Sequence, residues 1–400
     1  MFIALLCIGL VASAFAATPF SDLREIKMEV AVVCALALCM AEFYRNGLQP
    51  LRNKWLAFLI IYLPISIHFA PAPDIALVGI MVSKFWSWQP FFHILVFYFL
   101  ASAIASHEFT PQEIRKTLVT IAWCGFIMAV YIIMQRFGAD QFFVRSVGQE
   151  QGPTASYAGF LANPTLSAPF VAMTVPFMLH LKKYWMLPVA ALGIYFPDSQ
   201  MAYGGLVCAL ALYFASKGRY RFVTIASISA ICLLLAVAFR DTPAVKNSVH
   251  DNERFHHWTE IAKEMAEPLN NEPGAMSFPF TGRGLGAFKF IYHVQNPGQP
   301  GYENRFHQAH NDYLEFAYNT GVVGLFLFGA ALVSFFRSNF SLYRVYQIGE
   351  DERSMAVLSA FLCAAVVAFG TFIWQVGTVA FYSTVFVGLL YNESFKRRIT

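Results

Sequence analysis

The chain has 400 residues, of which 57% are hydrophobic and only 13% charged, and its mean hydropathy is +0.52. Those values exclude a soluble enzyme and describe an all-α polytopic membrane protein, whose lipid-facing surface stays apolar. A formal charge of +4 is too small a cationic excess, on too apolar a chain, for a nucleic-acid partner.

An apolar stretch from Phe2 to Ala17 opens the chain. Its Ala14-Phe15-Ala16 end resembles a signal-peptidase site, but no Lys or Arg precedes it, so a first membrane helix is expected. Windows of about 19 residues predict further spans near 28–44, 55–70, 88–106, 117–137, 157–180, 184–197, 200–216, 221–239, 313–336, 355–374 and 376–391, about twelve in all. Pro64, Pro164, Pro169 and Pro176 interrupt several of them, and Ile75 to Ser83 has the length of a re-entrant piece. Broken helices are tolerated in lipid only where protein or a water-filled cavity satisfies the freed backbone groups, which makes 157–180 a candidate cavity wall. All seven cysteines (Cys7, Cys34, Cys39, Cys124, Cys208, Cys232, Cys363) fall in apolar runs, which points to packing rather than disulfides or a thiolate metal site.

Orientation follows from the distribution of Lys and Arg. With the N-terminus inside, 16 of the 28 fall in inside segments, 5 in short outside segments and 7 in a long loop near 240–311. Long loops escape the positive-inside rule, so the contrast among short segments decides: both termini are expected in the cytoplasm and the loop outside. Four regions result: N-terminal transmembrane helices over 1–154, central ones over 155–239, the long loop over 240–311 and C-terminal transmembrane helices over 312–400.

Polar chemistry collects in the loop, which carries His250, His256, His257, His293, His307 and His310. From Glu253 to Glu267 the apolar residues Phe255, Trp258, Ile261, Ala262 and Met265 have helical spacing, which predicts an amphipathic helix lying at the outer membrane surface. Turns follow at 270–279 and at Gly282-Arg283-Gly284-Leu285-Gly286-Ala287. The second matches a dinucleotide fingerprint in letters only, because no predicted strand precedes it.

The sharpest local feature is Gln308-Ala309-His310-Asn311-Asp312-Tyr313-Leu314-Glu315, continued by Tyr318-Asn319-Thr320-Gly321-Val322-Val323-Gly324. Asn311 or Asp312 can cap the helix, and Asp312-x-x-Glu315 fits a capping box. His310 has no such structural task. At the outer membrane boundary a neutral imidazole, with its ordinary pKa of about 6.5, can accept a hydroxyl proton near neutral pH.

Over residues 155 to 390 the chain resembles the bacterial O-antigen ligases and O-antigen polymerases, with their relatives the O-linked oligosaccharyltransferases. Gly159-Phe160-Leu161-Ala162-Asn163-Pro164 is similar to the family's Gly-x-x-x-Asn-Pro segment, Arg254-x-x-x-Trp258 to its Arg-x-x-x-Trp, and Gly282 to Phe288 to its glycine turn. His310-Asn311 with Gly321-x-x-Gly324 resembles its most specific segment. The resemblance implies a glycosyltransferase of the bacterial inner membrane, acting on the periplasmic face without metal or cofactor. It would pass a glycan from undecaprenyl pyrophosphate to a hydroxyl of a lipid, glycan or protein acceptor. His310 is then the catalytic base. Arg254 is the main pyrophosphate ligand, Arg283 and Arg305 are weaker ones, and Asn163, Trp258, Asn311, Asp312 and Glu315 are supporting residues. Arginine suits that leaving group because its fixed fork makes bidentate hydrogen bonds.

One departure stands out: the chain reads Ser199-Gln200-Met201 where the family has Ser-Arg-Gly. Gln200 thus replaces an expected phosphate-binding arginine, and Arg145 is the candidate to supply that charge. Two other classes fit the sequence less well. A transporter or flippase would place ionisable groups at the midplane or show an internal repeat, neither of which is evident. A metal hydrolase would use His307, His310 and His256 or His257, but no Glu-containing helix motif accompanies them.

Overall fold

The computed structural model describes all residues except 17–22, 48, 71–72, 79–80, 83–84, 87–90, 140–157, 162, 216–252, 267–277, 287, 289–307, 346–351 and 393–400. Its helices are α1 (Phe2–Phe15), α2 (Leu23–Asn46), α3 (Lys54–His68), α4 (Pro73–Val78), α5 (Phe91–Ser106), α6 (Pro111–Arg136), α7 (Pro164–His180), α8 (Leu187–Tyr195) and α9 (Gln200–Ala215). They continue with α10 (Glu253–Ala266), α11 (Phe278–Thr281), α12 (Asp312–Val345), α13 (Glu352–Val367) and α14 (Gly377–Tyr391). Helix occupies eleven of the twelve expected spans, and the twelfth, 221–239, lies outside the described residues. Among the described residues, Pro111–Arg136 and Asp312–Asn339 are long and apolar enough to cross a membrane, and the other apolar helices are shorter. The region expected as a re-entrant piece folds as α4 followed by two-residue strands β1 (Met81–Val82) and β2 (Phe85–Trp86), paired antiparallel.

The chain divides into two compact units. The first comprises Met1–Arg52, Val96–Gly218 and Leu342–Thr400. Its centre is α7, in which every residue from Leu166 to Met178 is buried. Over 166–178 the expectation of a cavity wall is therefore corrected: a helix covered on every side, with its Ser167 and Thr174 hydroxyls bonded to the Ala158 and Val171 carbonyls, is a core element. Pro169 and Pro176 lie inside α7 without ending it. The break falls earlier, at Asn163, whose side chain accepts from the Thr165 amide at 2.9 Å and the Thr165 hydroxyl at 2.7 Å and so starts the helix, with Pro164 at its first position.

Helix α1 is held in this unit through its last carbonyls. Thr378 Oγ1 donates to Ser13 O at 2.6 Å, Tyr382 Oη to Leu10 O at 3.0 Å, and Lys27 Nζ to Ala14 O and Ala16 O at 2.9 and 2.8 Å. The Ser13 and Ala14 carbonyls belong to the last turn, whose acceptors a helix leaves without an internal partner, so these contacts satisfy them, whereas Leu10 O also accepts from Ser13 Oγ at 3.3 Å. The unit also buries an acid–imidazole pair, Glu42 Oε2 to His107 Nδ1 at 2.8 Å. Asn46 donates to Glu42 at 2.6 Å, Phe2 stacks on the His107 ring at 4.0 Å, and the Asn392 amide donates to His107 O at 2.6 Å.

The second unit comprises Asn53–Leu95 and Arg219–Ser341. Asn53 caps α3 by accepting from the Trp55 and Leu56 amides, and its amide group donates to Ala331 O at 3.0 Å. Leu59, Leu63, Ile67, Ala70 and Ala76 form a core with Leu285, against which Phe316, Leu327 and Phe328 pack.

Candidate functional site

The polar residues of the second unit converge where α10, the glycine turn after α11 and the first turns of α12 meet. Helix α10 forms where the apolar spacing predicts, and its inner face carries buried His257 and Ile261. Trp258 Nε1 donates to Ala309 O at 2.7 Å, which attaches the helix immediately before His310. Ile261, Phe288, Ala309 and Tyr318 form one buried cluster with Met265 and Leu314 packed against it.

Helix α12 starts at a single cap. Asn311 Oδ1 accepts from the Tyr313 and Leu314 amides at 3.1 Å, and Asn311 O accepts from Glu315 N at 3.0 Å. With Asn311 as cap, Glu315 lies one residue too far along for the expected capping box with Asp312. It reaches back instead to the Ala309 amide at 2.9 Å. Two buried carboxylates, Asp312 and Glu315, thus stand in the first turn, where the helix dipole favours negative charge. His310 is half-buried in the loop they hold, with left-handed backbone at φ 52°. Histidine is among the few residues that adopt this region with any frequency, and such positions concentrate at functional sites.

Two turns further on, α12 breaks. Gly321 has φ 69° and ψ −175°, a region open essentially to glycine alone. The carbonyls on its N-terminal side are taken up by neighbouring backbone: Tyr318 O accepts from Arg283 N at 3.2 Å and Asn319 O from Gly284 N at 2.8 Å. Asn319 Oδ1 accepts from Phe288 N at 3.1 Å. The Tyr62 hydroxyl lies 2.8 Å from Thr320 O and 2.9 Å from Phe280 O and shares its proton between them. A Cβ on Gly282 would run into the Asn319 carbonyl, and one on Gly321 into the Phe280 carbonyl. Close backbone approach, not nucleotide binding, therefore explains this glycine pattern, and helix α11 rather than a strand precedes it.

Arg283 projects from that turn with 0% of its surface exposed. Its Nη1 donates both to Glu264 Oε1 and to the Tyr318 hydroxyl. Tyr318 Oη in turn donates to Glu264 Oε1 at 2.9 Å, and the guanidinium carbon lies 4.7 Å from the Tyr318 ring centroid.

The other expected site residues are distributed as follows. Arg254 lies on α10 one turn before Trp258 and on the same face, although the side chains of 253–256, His256 included, are outside the described residues. Arg145, Arg305 and His307 also fall outside them. Asn163 and Gln200 belong to the first unit, where Asn163 caps α7 and Gln200 is the exposed first residue of α9. Sequence reasoning missed Glu264 and gave Tyr318 no role. The available signal was a carboxylate on the inner face of an amphipathic helix, at i+7 from His257 and i+3 from Ile261.

Residues 185–329 match the family model described as O-Antigen ligase. Over this stretch the chain is O-antigen ligase-like. No curated protein matches the chain. The O-antigen ligase-like stretch contains Gln200, Arg254, Trp258, Arg283, His310, Asn311 and the Gly321 break, whereas Asn163 precedes it. The match supports a ligase- or polymerase-like glycosyltransferase in a family of membrane proteins.

Proposed function

We propose that this chain is a polytopic inner-membrane glycosyltransferase that moves a glycan from undecaprenyl pyrophosphate to an acceptor hydroxyl on the periplasmic face, as an O-antigen ligase. The observation that carries the reading is His310. It stands on left-handed backbone at the capped start of an apolar helix, inside the O-antigen ligase-like stretch. In this mechanism His310 takes the acceptor's proton as the acceptor oxygen bonds to the anomeric carbon. The bond from that carbon to the pyrophosphate oxygen breaks, and undecaprenyl pyrophosphate leaves with the electron pair. Arg254 holds the pyrophosphate, whose negative charge grows in the transition state. The lipid-linked glycan is a substrate, so the reaction calls for no cofactor or metal, and activity is expected to survive a chelator.

Topology enters through the charge count, which puts both termini in the cytoplasm and the loop carrying Arg254 in the periplasm. A cysteine introduced at Met276 should be labelled from outside the cell, and labelling from inside alone would overturn that orientation. The function is tested by the glycolipids of a deletion strain. Lipid-linked polymer accumulating without surface polysaccharide is the result expected of a ligase. Single repeat units in place of long chains would assign a polymerase, and loss of glycan from proteins alone a protein O-oligosaccharyltransferase. An unchanged profile would overturn all three.

A further inference from the structure

We propose that Glu264, Arg283 and Tyr318 form a positioning clamp that fixes the rotation of α10 against α12 and so sets where Arg254 stands relative to His310. The proposal rests on the functional reading above for its kinetic consequences, but its geometry stands alone. Helix α10 is attached to the start of α12 at two places. Trp258 binds Ala309 O, and six residues later Glu264 binds Tyr318 and Arg283. Six residues of helix rise about 9 Å. A single attachment would leave a hinge, whereas two separated by that distance fix both the position and the roll of the helix. Arg254 precedes Trp258 by one turn on the same face, so the roll of α10 decides where its backbone points.

The chemistry of the clamp makes it all-or-none. An arginine stays protonated at every relevant pH, and a fully buried guanidinium is tolerated only with its charge matched. Glu264 supplies the charge. The Tyr318 hydroxyl accepts from Arg283 and donates to Glu264, while the Tyr318 ring offers its face to the guanidinium. The backbone beneath is pinned at the same point, because Arg283 N and Gly284 N bind the Tyr318 and Asn319 carbonyls beside the Gly321 break. Arg283 was expected as a weak pyrophosphate ligand. In the clamp its Nη1 binds Glu264 and Tyr318, and it acts by positioning another residue.

The experiment uses the full-length protein in lipid nanodiscs, on a cysteine-depleted background. Spin labels are placed at Thr259 on α10 and Val322 on α12, both exposed and outside the proposed machinery. Wild type should give one narrow distance distribution. Tyr318→Phe keeps the ring and removes only the hydroxyl, and it should broaden the distribution and raise the KM for the lipid-linked donor about three- to tenfold. The Glu264→Gln/Arg283→Met double variant removes the buried charge together with its partner, so its thermal stability should approach wild type while the broad distribution and raised KM persist. A double variant with wild-type distance and wild-type KM would show that the cluster only satisfies buried charge, and would overturn the clamp. So would an unchanged distribution in Tyr318→Phe. If the wild-type protein transfers no glycan, the functional reading fails, while the distance distributions still decide the clamp.

Discussion

Each unit holds an acid paired with a buried nitrogen base, and the two pairs sit in different backbone. Glu42 and His107 lie at the ends of regular helices, braced by Asn46, Phe2 and Asn392. Glu264 and Arg283 lie where a helix is broken at Gly321 and a glycine turn fills the gap. Burial of an ion pair is therefore a poor guide to function by itself, since such pairs satisfy structure as readily as chemistry. What separates the second pair is its surroundings: backbone open only to glycine, and a left-handed histidine at the capped start of the same helix.

The largest effect should come from the break. Gly321→Ala places a methyl against the Phe280 carbonyl in a conformation alanine does not adopt, and should cost about 4 kcal/mol or more from strain and overpacking together. Gly138→Ala, in the first unit, also has positive φ but meets nothing within 4 Å, and should cost only about 1 kcal/mol. Thermal unfolding of the two variants checks that difference. Next, Glu42→Ala should destabilise the protein by about 3 kcal/mol while leaving turnover per folded molecule near wild type. A collapse of turnover at wild-type stability would erase the distinction between the pairs. Arg254→Lys should lower kcat/KM about a hundredfold at normal protein level, because an ammonium cannot reproduce the bidentate fork on pyrophosphate. Near-normal activity in that variant would remove Arg254 from the donor site.

The smallest effect compares two helix caps of the same chemistry. Asn163→Ala and Asn311→Ala should each cost about 1 kcal/mol of stability. Only the second should also reduce glycan transfer, since Asn311 anchors the loop that carries His310. Equal turnover in the two variants would mean that the cap position has no bearing on His310.

Most helices were legible because an apolar run of sufficient length has few other folded solutions. The amphipathic α10 was legible for the same reason, through its spacing at Trp258, Ile261 and Met265. Proline misled the reading of 157–180: Pro169 and Pro176 signal a break, but burial on every side of α7 overrides them. The Asp312-x-x-Glu315 box was a fair local pattern that lost to a better cap one residue earlier. Gly321 was visible as part of a motif, yet its conformation depends on hydrogen bonds between segments far apart in the chain. The clamp was illegible for that reason too. Glu264, Arg283 and Tyr318 are separated by 19 and 35 residues, and no local pattern announces that they meet.

The central claim is that His310 acts as the base for glycan transfer. The direct measurement is turnover of purified His310→Ala with undecaprenyl-pyrophosphate-linked glycan, alongside the pH profile of wild type. We expect a stable, membrane-inserted variant that still binds the donor but transfers glycan at least about a hundredfold more slowly. A base is active when neutral, so the wild-type rate should fall as pH drops below the histidine pKa. A wild-type rate that falls instead as pH rises would make His310 a cationic phosphate ligand. A variant that keeps more than about a tenth of wild-type turnover would contradict the account altogether.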